Sequence, residues 1–241
     1  MASINFINVT VTFNLISAEH RSLKKKLLLS KSKFKNIINS NSEGMIKVEA
    51  LKEINLSIND GDRIGVMGPN GAGKSTFLRV ASQIYAPTTG KVEVDGSVLP
   101  LINPSIALDP FSSGIENIKS RAILMGVKKE QINDFVNSVS DISELGDYLY
   151  LPFHTYSSGM QMRMAFAISM ATKPDILVMD EWLSVADEEF QEKSTKLLNE
   201  KINQSKILIL ASHDKELINS ICNKFIYLEN GNALISNDFK Q

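Results

Sequence analysis

The residues Gly68-Pro69-Asn70-Gly71-Ala72-Gly73-Lys74-Ser75-Thr76 fill the spacing G-x-x-x-x-G-K-[ST]. That set of types can hold a polyphosphate. Glycines let backbone N–H groups turn inward, a following helix N-terminus adds partial positive charge, a lysine reaches the outer phosphates, and a hydroxyl serves Mg²⁺. The chemistry requires a strand before the loop and a helix after it. Arg63-Ile64-Gly65-Val66-Met67 is short and apolar and follows the turn signal Asn59-Asp60-Gly61, which predicts a buried strand. Ser75 to Ala81 carries Phe77, Leu78 and Val80 without glycine or proline, which predicts a helix. A chance glycine-rich turn would not meet all four set positions in this context.

The remaining elements alternate between strand and helix. Ile176-Leu177-Val178-Met179 reads as a buried strand that delivers Asp180 and Glu181 at its carboxyl end. Ile207-Leu208-Ile209-Leu210 reads as a second such strand, followed by His213, and Phe225 to Leu228 as a third. Helices are predicted over 157–172, 188–204 and 215–222. Residues 4–13 read as an edge strand, 46–58 as strand-like alternation and 91–96 as a short strand. Residues 97–113 are loop-rich, and 116–147 turn helical, which suggests a lobe inserted into an α/β core.

One stretch departs from this character. Between His20 and Ser42 stand Arg21, Lys24, Lys25, Lys26, Lys31, Lys33 and Lys35, with no acid until Glu43. Leu23, Leu27, Phe34 and Ile38 would share one face of a helix over residues 21–38. Either a solvated insertion or a docking element for a membrane surface or protein partner fits this pattern.

The whole chain of 241 residues is 43% hydrophobic and 22% charged with a net charge of −1, as expected of a globular protein and not of a general nucleic-acid coat. Cys222 is the single cysteine, so no internal disulfide can form and a reducing compartment is expected. No apolar run approaches the ~18 residues of a membrane span, and residues 1–5 do not resemble a signal peptide.

Four further features, in order, resemble the ATP-binding subunits of ABC transporters from about residue 46 onward. Tyr156-Ser157-Ser158-Gly159-Met160 stands where that family has its signature L-S-G-G-Q. Asp180-Glu181 closes the equivalent of its Walker B strand, Ser184-Val185-Ala186-Asp187 matches its D-loop, and His213 its switch histidine. The resemblance implies a P-loop NTPase of ABC ATPase type: a mostly parallel core sheet, an N-terminal antiparallel β portion and an inserted helical subdomain. The expected limits are one domain over 1–241, with core at about 1–100 and 173–241, helical subdomain at about 101–172 and basic insertion at 20–44.

The same resemblance implies site roles. Residues Gly68 to Thr76 would bind ATP, Ser75 and Asp180 would hold Mg²⁺, and Glu181 would act as general base. His213, which could equally be a core histidine, would contact the γ-phosphate. Phe13 would stack on adenine, and Asn103 is the nearest polar equivalent of the missing Q-loop glutamine, hence a metal-site candidate. Residues Tyr156 to Met160 would meet ATP across a homodimer interface, to which Asp187 would contribute. ATP is expected over GTP, because Asn223-Lys224-Phe225-Ile226 lacks the aspartate of N-K-x-D.

The departures Ser158 and Met160, with Glu181-Trp182-Leu183-Ser184 in place of E-P-T-S, resemble the branch that exports bacterial O-antigen and teichoic-acid polysaccharides. That branch implies a separate transmembrane permease, a peripheral position on the cytoplasmic face of the inner membrane, and no nucleic-acid partner. Some members add a C-terminal sugar-binding domain. The chain ends at Gln241, so none is expected within this sequence. Transport of a different substrate, or a soluble ABC protein acting on ribosomes or nucleic acid, are the alternatives.

Overall fold

A computed structural model describes residues 1–16, 37–39, 45–102, 108–181 and 188–239. They fall into two compact units, one of Met1–Gly96, Val178–Glu181 and Lys206–Gln241, the other of Ser97–Leu177 and Trp182–Ser205.

The first unit opens with an antiparallel sheet in the order β2-β3-β1-β5, from β1 (Ser3–Ile16), β2 (Ile37–Asn39), β3 (Met45–Asn59) and β5 (Thr89–Asp95). Here β1 is interior, not the edge strand expected, because it finds partners on both sides: Ile4 pairs with Ile58 of β3 and with Val94 of β5. Apolar alternation reports which face is buried and says nothing about how many neighbours a strand has. Of the residues assigned to the predicted helix over 21–38, Ile37 and Ile38 lie in β2, with Ile38 opposite Lys47. Residues 21–36 lie outside the described residues, as does most of the 20–44 insertion.

Parallel strands follow. β4 (Arg63–Met67) lies between β8 (Ile207–Ala211) and β9 (Lys224–Glu229), with Gly65 level with Leu210 and Phe225. β8 is buried along its whole length and β4 at four of its five positions, as strands covered on both faces must be. β10 (Asn232–Ser236), not foreseen from sequence, pairs antiparallel with β9. Helix α1 (Lys74–Ala81) buries Phe77, Leu78, Val80 and Ala81. Phe77 stacks on Phe6 of β1 at 4.8 Å between centroids, so the helix that follows the phosphate loop is fastened to the antiparallel sheet.

The second unit holds β6 (Val98–Leu101), in a stretch read as loop, and the start of β7 (Ile176–Asp180), whose Ile176 N–H donates to Ser97 O. Its helices are α2 (Gly114–Leu124), α3 (Ile132–Ser143), α4 (Ser158–Met170) and α5 (Glu188–Gln204). Ile118, Phe135, Val139, Leu149, Phe153 and Met164 form the centre of its core. The sequence reading assigned α5 to the α/β core, but it packs here. Phe190 is buried edge-on to Phe166 of α4, and the buried Lys201 ammonium donates to Met170 O and Thr172 O at the end of that helix. A polar helix carries little information about which neighbour its few buried residues will choose.

Candidate nucleotide site

The phosphate loop joins the carboxyl end of β4 to α1, and two of its glycines are obligatory. Gly68 has φ +148°, and a Cβ there would lie 2.2 Å from Leu228 O. Gly73, the N-cap of α1, has φ +107°, and a Cβ would lie 2.4 Å from Ala50 O. Any side chain at either position would force the loop open. Helix α1 has no side-chain cap and no acid in its first turn, so its amino end presents N–H groups and partial positive charge without a competing carboxylate. The Lys74 ammonium folds over the loop and donates to Gly68 O at 2.7 Å and Pro69 O at 3.2 Å. This cradle suits a polyphosphate. The Ser75 hydroxyl and the Asp180 carboxylate supply the hard oxygen donors that suit Mg²⁺.

Strand register brings the acidic pair to the same edge. Val66 is level with Ala211 on β8, and Ala211 O accepts from Glu181 N at 2.7 Å. β7 is buried from Ile176 through Met179, and burial ends at Asp180. Glu181 then adopts φ +66°, a left-handed conformation that strains a residue with a side chain. Its carboxylate stands 3.8 Å from His213 Nε2, with both side chains more than 60% exposed. At that exposure the pair contributes little to stability. Its importance is placement, with both groups on the strand edge that carries the phosphate loop. Asp214 caps α6 (Lys215–Ile221) by accepting from Glu216 N and Leu217 N, which holds the turn that carries His213.

Phe13 is placed by the antiparallel sheet. A Cβ at Gly73 would touch Leu51 at 3.3 Å, Leu51 is opposite Val11, and Phe13 lies two residues further along β1. That is ~7 Å along the strand. The Phe13 ring is 37% exposed and lies opposite Val48 on β3, past an irregularity in the pairing after Val11. Edge-on to it lies Tyr85, which sequence reasoning missed, since nothing in an aromatic after a helix signals which strand it will meet.

The signature segment lies in the second unit and divides in two. Ser157 caps α4, its hydroxyl accepting from Met160 N, and Ser157 and Ser158 are exposed. A Cβ at Gly159 would meet only Ser157 Oγ, at 4.0 Å, so packing within the unit does not require glycine there. Tyr156, by contrast, is buried and donates its hydroxyl to Tyr148 O, and Met160 packs on the same core. These two side chains support the segment and are not presented with Ser157 to Gly159. Asn103 and Asp187 lie outside the described residues.

Among the described residues no helix is long and apolar enough to cross a membrane. Three kinds of similarity bear on the site. Residues 51–184 match the family model for ABC transporters. Over 231 residues, 96% of each chain, the sequence is 37% identical to an O-antigen export system ATP-binding protein of Yersinia enterocolitica. It is 39% identical over 219 residues to a teichoic acids export ATP-binding protein of Lactococcus lactis, of which it spans 47%. The fold matches a dimeric ATP-binding cassette solved in a post-hydrolysis state with ADP and Pi, at a TM-score of 0.67 over 97% of both chains and 22% identity. The phosphate loop, the acidic pair and the histidine thus sit in a cassette of known architecture, and the chain belongs to the ABC transporter family.

Proposed function

We propose that this chain is the ATP-hydrolysing subunit of an exporter of lipid-linked cell-surface polysaccharide, working with a separate membrane-spanning partner. The observation that carries this reading is the similarity to an O-antigen export ATP-binding protein over 96% of both chains. Membership of the family alone leaves the substrate open.

In this reading the α1 amino end and Lys74 hold the β- and γ-phosphates of ATP, with the base against Phe13. Mg²⁺, when held by Ser75 and Asp180, neutralises part of the phosphate charge. Glu181 accepts a proton from the attacking water, and His213 orients the outer phosphate. Two copies pair so that Ser157 to Gly159 of one completes the phosphate site of the other. The protein sits at the cytoplasmic face of the membrane, where the basic residues between Arg21 and Lys35 favour an anionic lipid surface.

Deleting the gene in its own host should remove the surface polysaccharide and leave its lipid-linked precursor inside the cell. Wild-type protein should restore export, and Glu181→Gln should not. Intact surface polysaccharide after deletion would refute the substrate assignment.

A further inference from the structure

The ring of Phe13 is held by a group that none of the ATPase motifs includes. Tyr85 meets Phe13 at 6.0 Å between centroids and 69° between planes, an edge-to-face contact. On the Tyr85 ring rests the Arg79 guanidinium, 5.4 Å from the centroid, and Arg79 belongs to α1, which begins at Lys74. The backbone between α1 and β5 is tied down at both ends. Ile84 N and Tyr85 N both donate to Arg79 O, at 2.8 and 3.1 Å. Thr88 N donates to Thr10 O at 2.8 Å, and Thr88 Oγ1 accepts from Thr12 N at 2.9 Å, so the bonds bracket β1 immediately before Phe13.

We propose that Tyr85 is a positioning residue for nucleotide binding: it fixes the Phe13 ring as a platform for the base and couples that platform to the phosphate-binding helix through Arg79. The inference rests on the reading that Phe13 takes the base. A ring free to rotate would give up part of its stacking with a base on binding, whereas one already braced at its edge does not. Because the brace starts on α1, it sets the platform at a fixed offset from the phosphate cradle.

The test compares ATP with inorganic triphosphate, which occupies the cradle and has no base. Both are titrated with Mg²⁺ into the full chain carrying Glu181→Gln, which prevents turnover. Adding Phe13→Leu should weaken ATP about tenfold or more and leave triphosphate unchanged. Tyr85→Leu should weaken ATP about three- to tenfold, again with triphosphate unchanged. Tyr85→Phe should bind ATP within about twofold of the parent, because both ring contacts survive without the hydroxyl. Should Tyr85→Leu not fold, Thr88→Val, which removes the bond to Thr12 N, carries the same expectation of selective ATP loss. Unchanged ATP affinity in Tyr85→Leu or Thr88→Val, or equal loss of ATP and triphosphate, overturns the inference. Unchanged ATP affinity in Phe13→Leu overturns the base platform itself, and the inference with it.

Discussion

Glu181, just past the end of β7, has a left-handed backbone conformation. Its left-handed backbone costs on the order of 1–2 kcal/mol in a residue with a Cβ, and its exposed pairing with His213 recovers little of that. The strain is compatible with a role for the carboxylate that stability does not explain. Glu181→Gln should therefore keep ATP binding while hydrolysis falls by on the order of 10²–10⁴-fold, measured as steady-state phosphate release. Glu181→Gly should be equally inactive yet melt no lower than wild type in a calorimetric scan, because glycine adopts this conformation freely. Lys74→Ala should fail earlier, at ATP binding itself, since it removes a charge-assisted contact to the phosphates.

At the scale of elements, two packing arrangements lead to tests. Helix α6 lies so close to β4 that a Cβ at Gly65 would come 2.5 Å from Ile218 Cγ2. Gly65→Ala should destabilise the protein by about 1–3 kcal/mol in urea unfolding, as overpacking does, although φ at Gly65 lies outside the left-handed region. In the second unit, α5 docks through Lys201, whose ammonium meets carbonyls at the end of α4. Burial, with Lys173 as a second and smaller cause, pushes Lys201 down to about 8. Unfolding returns it to the ordinary lysine range, so between these values the unfolded chain binds more protons and stability rises with pH. Below about pH 8 the lysine is protonated in both states and contributes no slope. Lys201→Met should flatten the rise in unfolding free energy above about pH 8, whatever its effect on the melting temperature.

For the whole molecule, the cradle lies in one unit and the Ser157 to Gly159 segment, with Ser157 and Ser158 exposed, in the other. If each catalytic site is completed by a second copy, turnover per subunit should fall as the protein is diluted below the dissociation range of the dimer. Turnover that stays constant on dilution, with the sedimentation of a monomer, would show that one chain suffices. Cys222 should not complicate such measurements: it is buried, and burial pushes its thiol up to about 12, so it should react with thiol reagents only through unfolding.

The sequence alone determined the chemistry of the cradle, because a phosphate-binding loop needs particular residue types at contiguous positions, and Gly68, Gly73, Lys74 and Ser75 are read in one pass. It likewise determined the buried strands β4, β7 and β8, whose unbroken apolar runs have few other uses. What only the tertiary structure decided was neighbourhood. β1 proved to be interior, β6 and β10 too short or too polar to stand out, and α5 a member of the helical unit. Tyr156 turned into the core, although it stands next to the exposed Ser157. Tyr85 acquired its meaning only through Phe13, 72 positions earlier in the chain. Local residue patterns encode conformation and burial, whereas the partner across a contact depends on how distant segments pack, and a single sequence carries no term for that.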